Sequence, residues 1–470
     1  MSLNKNLSSE EKLRFGKKFL FGIGNLGGQT VAGIFATSLI IFYREKLLLQ
    51  ELYIAWAFIL YAIWNAINDP LFGWISDKTK TKWGRRIPYL RIFTPLLTIS
   101  FILVWLGPTT NEAGQMGVFI WLLLTMLFFD TAYTAIYLVY LALAQEIRMD
   151  HVERANLQVF AMIFGLFGTF LSLVLPLLFL GDPGSAKFIL LIVILAIIQL
   201  ITMTITAFTV KERIEFSKVD EPLKFIDSFK ETLKNKSFLI TVSMNFCMIF
   251  VQSVVFGGIF FYVYYVMRDY DTLTILLLFF AFLISGIIVG YIYILKINKI
   301  KGLKVALIRS LISLGIGLIL VGTLPGLAAL AGMFFVGIGF LGAMTLVNTA
   351  FGEIADEDEV NTGTRREAAI FGINAFITKP AQSVAGVFIA LILLLFAYQE
   401  PINGIQQAQS DFTIFGLKLA IGIIPGLVVL CGALIFKFYP LHGKYLADIK
   451  TTMHRMHDEK KEKFKSKLIP

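Results

Sequence analysis

The sequence predicts an all-α membrane protein: twelve transmembrane helices in two pseudo-symmetric six-helix bundles. Three observations predict it. Of 470 residues, 57% are hydrophobic and only 16% charged, with a mean hydropathy of +0.76. Soluble domains carry about 45–50% apolar and about 25% charged residues. A soluble chain of this size could not hide so much apolar surface, whereas a bilayer is itself an apolar solvent. Secondly, apolar runs long enough to cross a bilayer recur along the chain. Backbone groups in lipid must bond within their own segment, so these runs are helices. Thirdly, the chain echoes itself. Glu146-Ile147 and Ile163-Phe164-Gly165 return as Glu353-Ile354 and Ile370-Phe371-Gly372 at one common offset, the mark of a repeat.

In chain order, a polar, basic N-terminus (1–18) precedes a first bundle over 19–210, with spans at 19–43, 51–75, 88–107, 117–145, 157–181 and 185–210. The first run is longer than a signal-peptide core and lacks a small-residue cleavage pattern, so it reads as a retained helix. A central loop, 211–236, leads to a second bundle over 237–438, with spans at 237–267, 272–295, 305–325, 326–350, 367–398 and 411–438. In that loop Phe225, Phe229 and Leu233 lie at i, i+4, i+8, which predicts an amphipathic helix on the membrane surface. The tail, 439–470, ends in a Lys-rich run over 460–467 that reads as a disordered anchor near anionic lipid.

The 42 lysines and arginines set the expected topology. The side opposite the termini holds only Arg44, Lys46, Lys187 and Arg268, and Arg309, Lys379, Lys418 and Lys437 lie within spans or at their ends. The rest fall in the termini and the loops on the same side, which places both termini in the cytoplasm of a multi-pass protein, expected in the cell membrane. The net charge of +10 is thus spread over loops and gives no nucleic-acid face. Cys247 and Cys431 lie in apolar runs, and all four histidines lie in loops or the tail. No disulfide framework and no structural metal site follows. No nucleophile–base pair or cofactor motif lies in the spans, which argues against an enzyme and against a resident cofactor. The glycines from Gly22 to Gly28 lack the features of a phosphate loop and suit close helix packing.

Polar residues inside spans are costly, and so they mark candidate function. In the second span Asn65, Asn68 and Asp69 share one face at i, i+3, i+4. Pro70 frees a carbonyl one turn back. Together they offer hard oxygen ligands to a small cation, or a carboxylate that takes a proton; a structural polar cluster joining helices is the other reading. Lys379 precedes Pro380 near mid-depth of the eleventh span. It needs a partner, and Asp69 is the obvious candidate. In the fourth span Asp130, Tyr133, Thr134 and Tyr137 form a polar-aromatic stripe suited to sugar faces or apolar ligands, unless Asp130 and the tyrosines belong to the interfacial belt. Gln29, Asn25, Asn374 and Gln252 are further candidates for lining a substrate cavity, with Asn245 and Asn348 beside them.

Gly73, Asp77, Lys78, Gly84, Arg85 and Arg86 follow the second span. Spaced acids and bases of this kind can tie neighbouring helix ends into one conformation. These residues resemble the signature of the major facilitator superfamily. With Asn68-Asp69-Pro70 before them, they resemble one branch, the glycoside–pentoside–hexuronide:cation symporters, and the resemblance runs along essentially the whole chain. It implies alternating access between two halves and coupling to Na⁺, Li⁺ or H⁺. It implies that Asn68 and Asp69 hold the cation, that Tyr133 and Thr134 lie beside cation and sugar, and that Lys379 lies near the cation. Several positions depart from the family pattern. Asn65 and Tyr137 stand where the family has aspartates, Gly28 and Gln29 replace a Lys-Asp pair, and Met162 replaces an arginine. A sugar or glycoside-like solute is the expected substrate, with a lysolipid or other amphiphile as the alternative. A non-transporting sensor or scaffold is disfavoured by the buried charges. Membrane lipids are the other expected partners, and a monomer suffices.

Overall fold

The computed structural model describes residues 13–147, 151–177, 186–210, 212, 225–268, 270, 272–399 and 407–466. Among these the chain is helical, with no strand. The first six helices are α1 (Phe15–Ile41), α2 (Glu51–Lys78), α3 (Ile87–Val104), α4 (Thr110–Ile147), α5 (His151–Leu177) and α6 (Ala186–Thr209). A short α7 (Phe225–Lys234) precedes α8 (Lys236–Phe261), α9 (Thr272–Lys301), α10 (Leu303–Thr323) and α11 (Ala329–Thr362). The eleventh span is two segments, α12 (Glu367–Thr378) and α13 (Pro380–Leu395). The twelfth is α14 (Asp411–Lys418) and α15 (Ile424–Phe436), joined by a wider π turn. The tail forms α16 (Gly443–Ser466).

Eleven helical stretches among the described residues are long and apolar enough to cross a membrane, which makes this an integral multi-pass protein. Of the twelve spans expected, the one outside that group is α2. It is 28 residues long but carries the polar run from Asn65 to Asp69.

The chain divides into two compact units. The first comprises 1–232, 355–376 and 449–470; the second comprises 233–354 and 377–448. In the first, α1 packs on α5 and α6, α4 packs on α2 and α3, and α3 packs on α6. Gly22 explains how α1 and α5 come so close, since a Cβ there would lie 2.9 Å from the Phe160 backbone. In the second unit α8 packs on α13 and α15, and α10 packs on α9 and α15.

Three features of the loops and tail differ from, or add to, the sequence reading. The helix expected from Phe225 is present, and its Ser228 and Thr232 are buried. Phe229 meets the Phe376 ring edge-on at 5.9 Å, so α7 packs on α12. The tail is not the disordered anchor expected from its lysines. It is helical through Ser466 because Ile449, Met453 and His457 form one buried stripe at i, i+4, i+8. Finally, α11 runs on to Thr362, well past the expected end at 350, because its acidic last turns find basic partners, as described next.

Candidate functional site

The first unit contains two clusters of buried polar groups. One lies where α2 crosses α4. Asn68 is fully buried (0% exposed), and Asp69 and Asp130 are close to it (5% and 6%). The Thr134 hydroxyl donates to Asp69 Oδ1 at 2.9 Å. Asn68 Nδ2 donates to Asp130 Oδ2 at 2.9 Å and to the Asp130 carbonyl at 3.3 Å. The Tyr61 hydroxyl donates to Asp130 Oδ1 at 3.2 Å. Tyr133 lies within electrostatic reach of both carboxylates and stacks on Tyr137, ring centroids 4.4 Å apart. Asn65 lies one turn before Asp69 and is half-buried.

Thr134, expected beside cation and sugar, donates to the Asp69 carboxylate. Asp130 is buried, its carboxylate accepting from Tyr61 and Asn68. Asn25 ties α1 to α5 by donating to the Ala161 carbonyl at 2.8 Å, and Gln29 donates to Asn25 at 3.4 Å. Asn374 lies half-buried on α12. Gln252 belongs to the second unit, on an apolar hollow lined by Met248, Leu314, Phe340 and Met344. Lys379 also belongs to the second unit, half-buried, directly before Pro380.

The second cluster ties the loop motif after α2 to segment 355–376. Gly84 takes φ +105°, a conformation that favours glycine, and so turns the chain back under α2. Glu212 then accepts from the Arg85 and Arg86 amides at 2.8 and 2.7 Å. The Arg85 guanidinium donates to Glu146 (2.6 Å), Glu367 (2.8 Å) and the Arg365 carbonyl (2.6 Å). Arg86 pairs with Asp77 and Glu146 and donates to Ser76 Oγ at 2.9 Å. Asp77 in turn accepts from the Ala369 amide at 2.7 Å, in the first turn of α12. Lys78 points elsewhere, over the Trp74 ring. Around the rim, Arg154 grips Asp356 with two bonds of 2.8 and 3.0 Å, and Arg366 pairs with Asp358. Arg365 pairs with Glu359 at 2.8 Å and with Glu367. Burial alone would disfavour a charged Arg86. Asp77, Glu146, Glu367 and Glu212 outweigh it and hold the guanidinium above its ordinary value.

Gly73 and Gly372 connect the two clusters. Gly73 faces the Ala368 carbonyl, and a Cβ on Gly372 would lie 2.5 Å from the Asp69 carbonyl. α12 therefore runs directly over the backbone that carries Asp69. Gly372→Val should cost about 1–3 kcal/mol by overpacking and should disturb ion binding at Asp69. A melting curve together with ion titration would check both.

The buried tail histidine gives a further prediction. His457 Nε2 lies 3.0 and 2.9 Å from the two Glu359 oxygens, with Arg365 and Asp356 close by. Burial pushes its pKa below the ordinary 6.5, and Glu359 only partly opposes this. The folded protein keeps the ring neutral while the unfolded chain protonates it, so stability is full above about pH 6.5 and falls as pH drops toward the depressed value. His457→Gln should flatten that part of the stability profile by up to about 1.4 kcal/mol per pH unit. Melting of both proteins between about pH 7 and pH 5 would show it.

The family model for MFS/sugar transport proteins matches residues 20–443. The chain belongs to the MFS/sugar transport family. Among its relatives is the isoprimeverose transporter of Lactiplantibacillus pentosus, 21% identical over 92% of this chain and 91% of that one. The sodium-dependent lysophosphatidylcholine symporter 1 of Gallus gallus is 28% identical but matches only 35% of this chain and 30% of its own. Among solved structures, the fold resembles a proton:xylose symporter of the major facilitator superfamily bound to 6-bromo-6-deoxy-D-glucose. That comparison has a TM-score of 0.61 at 16% identity, covering 91% and 96% of the two chains. The chain is therefore a secondary transporter with the all-α major facilitator fold.

The packing of α4 on α1 is close at Gly28. Tyr137 lies where a Cβ on Gly28 would be, and its hydroxyl donates to the Gly24 carbonyl at 3.2 Å. No residue with a Cβ fits at 28 with this tyrosine opposite.

Proposed function

We propose that the chain is a cation-coupled symporter of a sugar or glycoside-like solute. The observation that carries this reading is the buried Asp69, held by Thr134 beside Asn68 at the crossing of α2 and α4. A carboxylate inside an apolar span is expensive to maintain, and the oxygens around it suit a small cation. Asn65, one turn away, adds a polar neighbour on the α2 face. The arginine cluster at the other end of α2 supports alternating access. It fastens 355–376, a segment of the second half of the sequence, to helix ends of the first half. These bonds must part for that side of the protein to open. The positive charge of the loops on this side supports cytoplasmic termini in a cell membrane.

The isoprimeverose transporter, similar along nearly the whole chain, supports a glycoside as the solute. Tyr133 and Tyr137 would then offer ring faces to the sugar. A second reading, an amphiphile such as a lysolipid, is favoured by the loss of charge at Gly28, Tyr137 and Met162 and by the lysophosphatidylcholine symporter match. Thermal melting of the purified protein in detergent, with pentosyl glycosides, free sugars and lysophosphatidylcholine, tests the choice. A ligand at 100 times its Kd adds about 2.7 kcal/mol to the folded state. A shift by glycosides alone supports the first reading, and a shift by lysophosphatidylcholine alone replaces it with the second.

A further inference from the structure

We infer that Trp83, Arg91 and Phe208 form a seat for the phosphate of an anionic phospholipid, at the end of the first unit that carries the loop after α2. The seat requires only that this loop lies at a membrane face, and so it does not depend on which solute or ion is carried. All three residues belong to one unit, in which α3 packs on α6. Arg91 stands in the second turn of α3, at the start of an apolar span. A cation in such a place is costly unless its head reaches polar partners.

Arg91 is held in position but not neutralised. Its guanidinium carbon lies over the Phe208 ring, 4.3 Å from the centroid, and over the Trp83 ring at 5.2 Å. Both distances are within cation–π reach. Its Nε donates to the Ala207 carbonyl, in the last turn of α6, at 3.4 Å. Among the described residues its two terminal nitrogens have no hydrogen bond, and no carboxylate pairs with the group. Arg85 and Arg86, a few residues earlier, are by contrast paired with Glu146 and Asp77. The donors left on Arg91 form a planar fork, which matches two oxygens of one phosphate. A second cation gathers at the same place. The Lys82 ammonium lies over the Trp83 ring at 5.3 Å, also without a carboxylate among the described residues. Like charges sharing one indole repel, and an anion close to both offsets that cost. The seat opens outward, because Trp83 and Phe208 are 46% and 63% exposed, and Ile92 beside Arg91 is exposed as a lipid-facing residue would be. An indole at this depth suits the headgroup level of a bilayer. The charge of the site selects an anionic lipid, since a zwitterionic headgroup brings its own cation toward Arg91 and Lys82.

The test is thermal melting of the full-length protein in dodecyl maltoside micelles, titrated with dioleoyl phosphatidylglycerol, dioleoyl phosphatidylcholine or soluble glycerol 1-phosphate. Arg91→Gln, Arg91→Lys and Lys80→Gln are compared with the parent. Lys80 is an exposed lysine of the same loop, so Lys80→Gln removes an equal charge and leaves the seat intact. Phosphatidylglycerol is expected to raise the melting temperature of the parent, while phosphatidylcholine and glycerol phosphate do so weakly or not at all. Half-saturation by phosphatidylglycerol should rise at least about tenfold in Arg91→Gln. In Lys80→Gln it should rise at most about fivefold, the worth of one charge near an anionic surface. Arg91→Lys keeps the charge but loses the planar fork, so it should fall between the parent and Arg91→Gln, and it stands in if Arg91→Gln does not fold. Parental half-saturation in Arg91→Gln, or in Arg91→Lys where that variant stands in, would overturn the seat. An equal loss in Lys80→Gln and Arg91→Gln would overturn it too, leaving only diffuse attraction between charges. Stabilisation by phosphatidylcholine as strong as by phosphatidylglycerol would overturn the choice of an anionic lipid, and an equal shift by glycerol phosphate would replace the lipid with a free phosphate ester.

Discussion

Arg85→Ala is expected to destabilise the protein by about 3–5 kcal/mol, the cost of stripping one partner from a buried ion pair. Arg85 is about 1% exposed and reaches three acceptors on three different stretches of chain: Glu146, Glu367 and the Arg365 carbonyl. Its removal leaves Glu146 and Glu367 facing each other with Arg86 as their shared cation. It also releases the Arg365 carbonyl at the turn into α12. Arg85→Lys should recover little, because a single ammonium cannot reproduce the planar fork that spans these acceptors. A melting curve in detergent gives the stability loss. A second readout separates lock from scaffold: protease or thiol-reagent access to a cysteine placed at position 369 should rise in Arg85→Ala, because the Ala369 amide is held to the same loop through Asp77.

Asp69→Asn should abolish ion coupling while leaving the fold in place. Asparagine keeps an oxygen for the Thr134 hydroxyl and fits the same space, so packing between α2 and α4 is preserved. It removes the negative charge that a cation or proton would neutralise. In a coupled transporter the ion changes solute affinity by a factor of about 5–150, a coupling free energy of about 1–3 kcal/mol. In Asp69→Asn that factor should collapse to one, with solute affinity becoming the same with and without Na⁺ and at different pH. Linkage requires the reciprocal as well: the solute should no longer tighten ion binding. Equilibrium binding of the solute identified by melting, repeated at saturating and zero Na⁺, measures the factor directly.

The spans were legible because lipid imposes a length and an apolar composition on each, and the helices follow those runs closely. The ends were not. The acidic run from Glu353 to Glu359 looks like a loop in sequence, yet it prolongs α11 because Arg154, Arg365 and Arg366 neutralise it. The tail looks disordered because lysines dominate it, although the stripe Ile449, Met453, His457 carried a helical signal that composition obscured. In the α2–α4 cluster, Asp69 stood out as a carboxylate in an apolar run. Asp130 was equally visible as a residue, but its meaning lies in the bond to Asn68, 62 positions away, which no local spacing shows. The arginine lock had half its members in the recognised loop motif. Its acceptors Glu146 and Glu367 lie at the ends of other helices, where only the repeated Glu-Ile of the two halves hinted at the first of them.

Uptake into proteoliposomes tests the central claim most directly. The purified protein is reconstituted with an imposed inward Na⁺ or H⁺ gradient, and radiolabelled pentosyl glycosides and lysophosphatidylcholine are offered in turn. The account predicts that one solute class accumulates above equilibrium under one of the two gradients, that an ionophore dissipating the gradient abolishes this, and that Asp69→Asn reduces the flux to the level of empty vesicles or to simple equilibration. Accumulation that persists in Asp69→Asn, or uptake of either solute that is indifferent to both gradients, would contradict it.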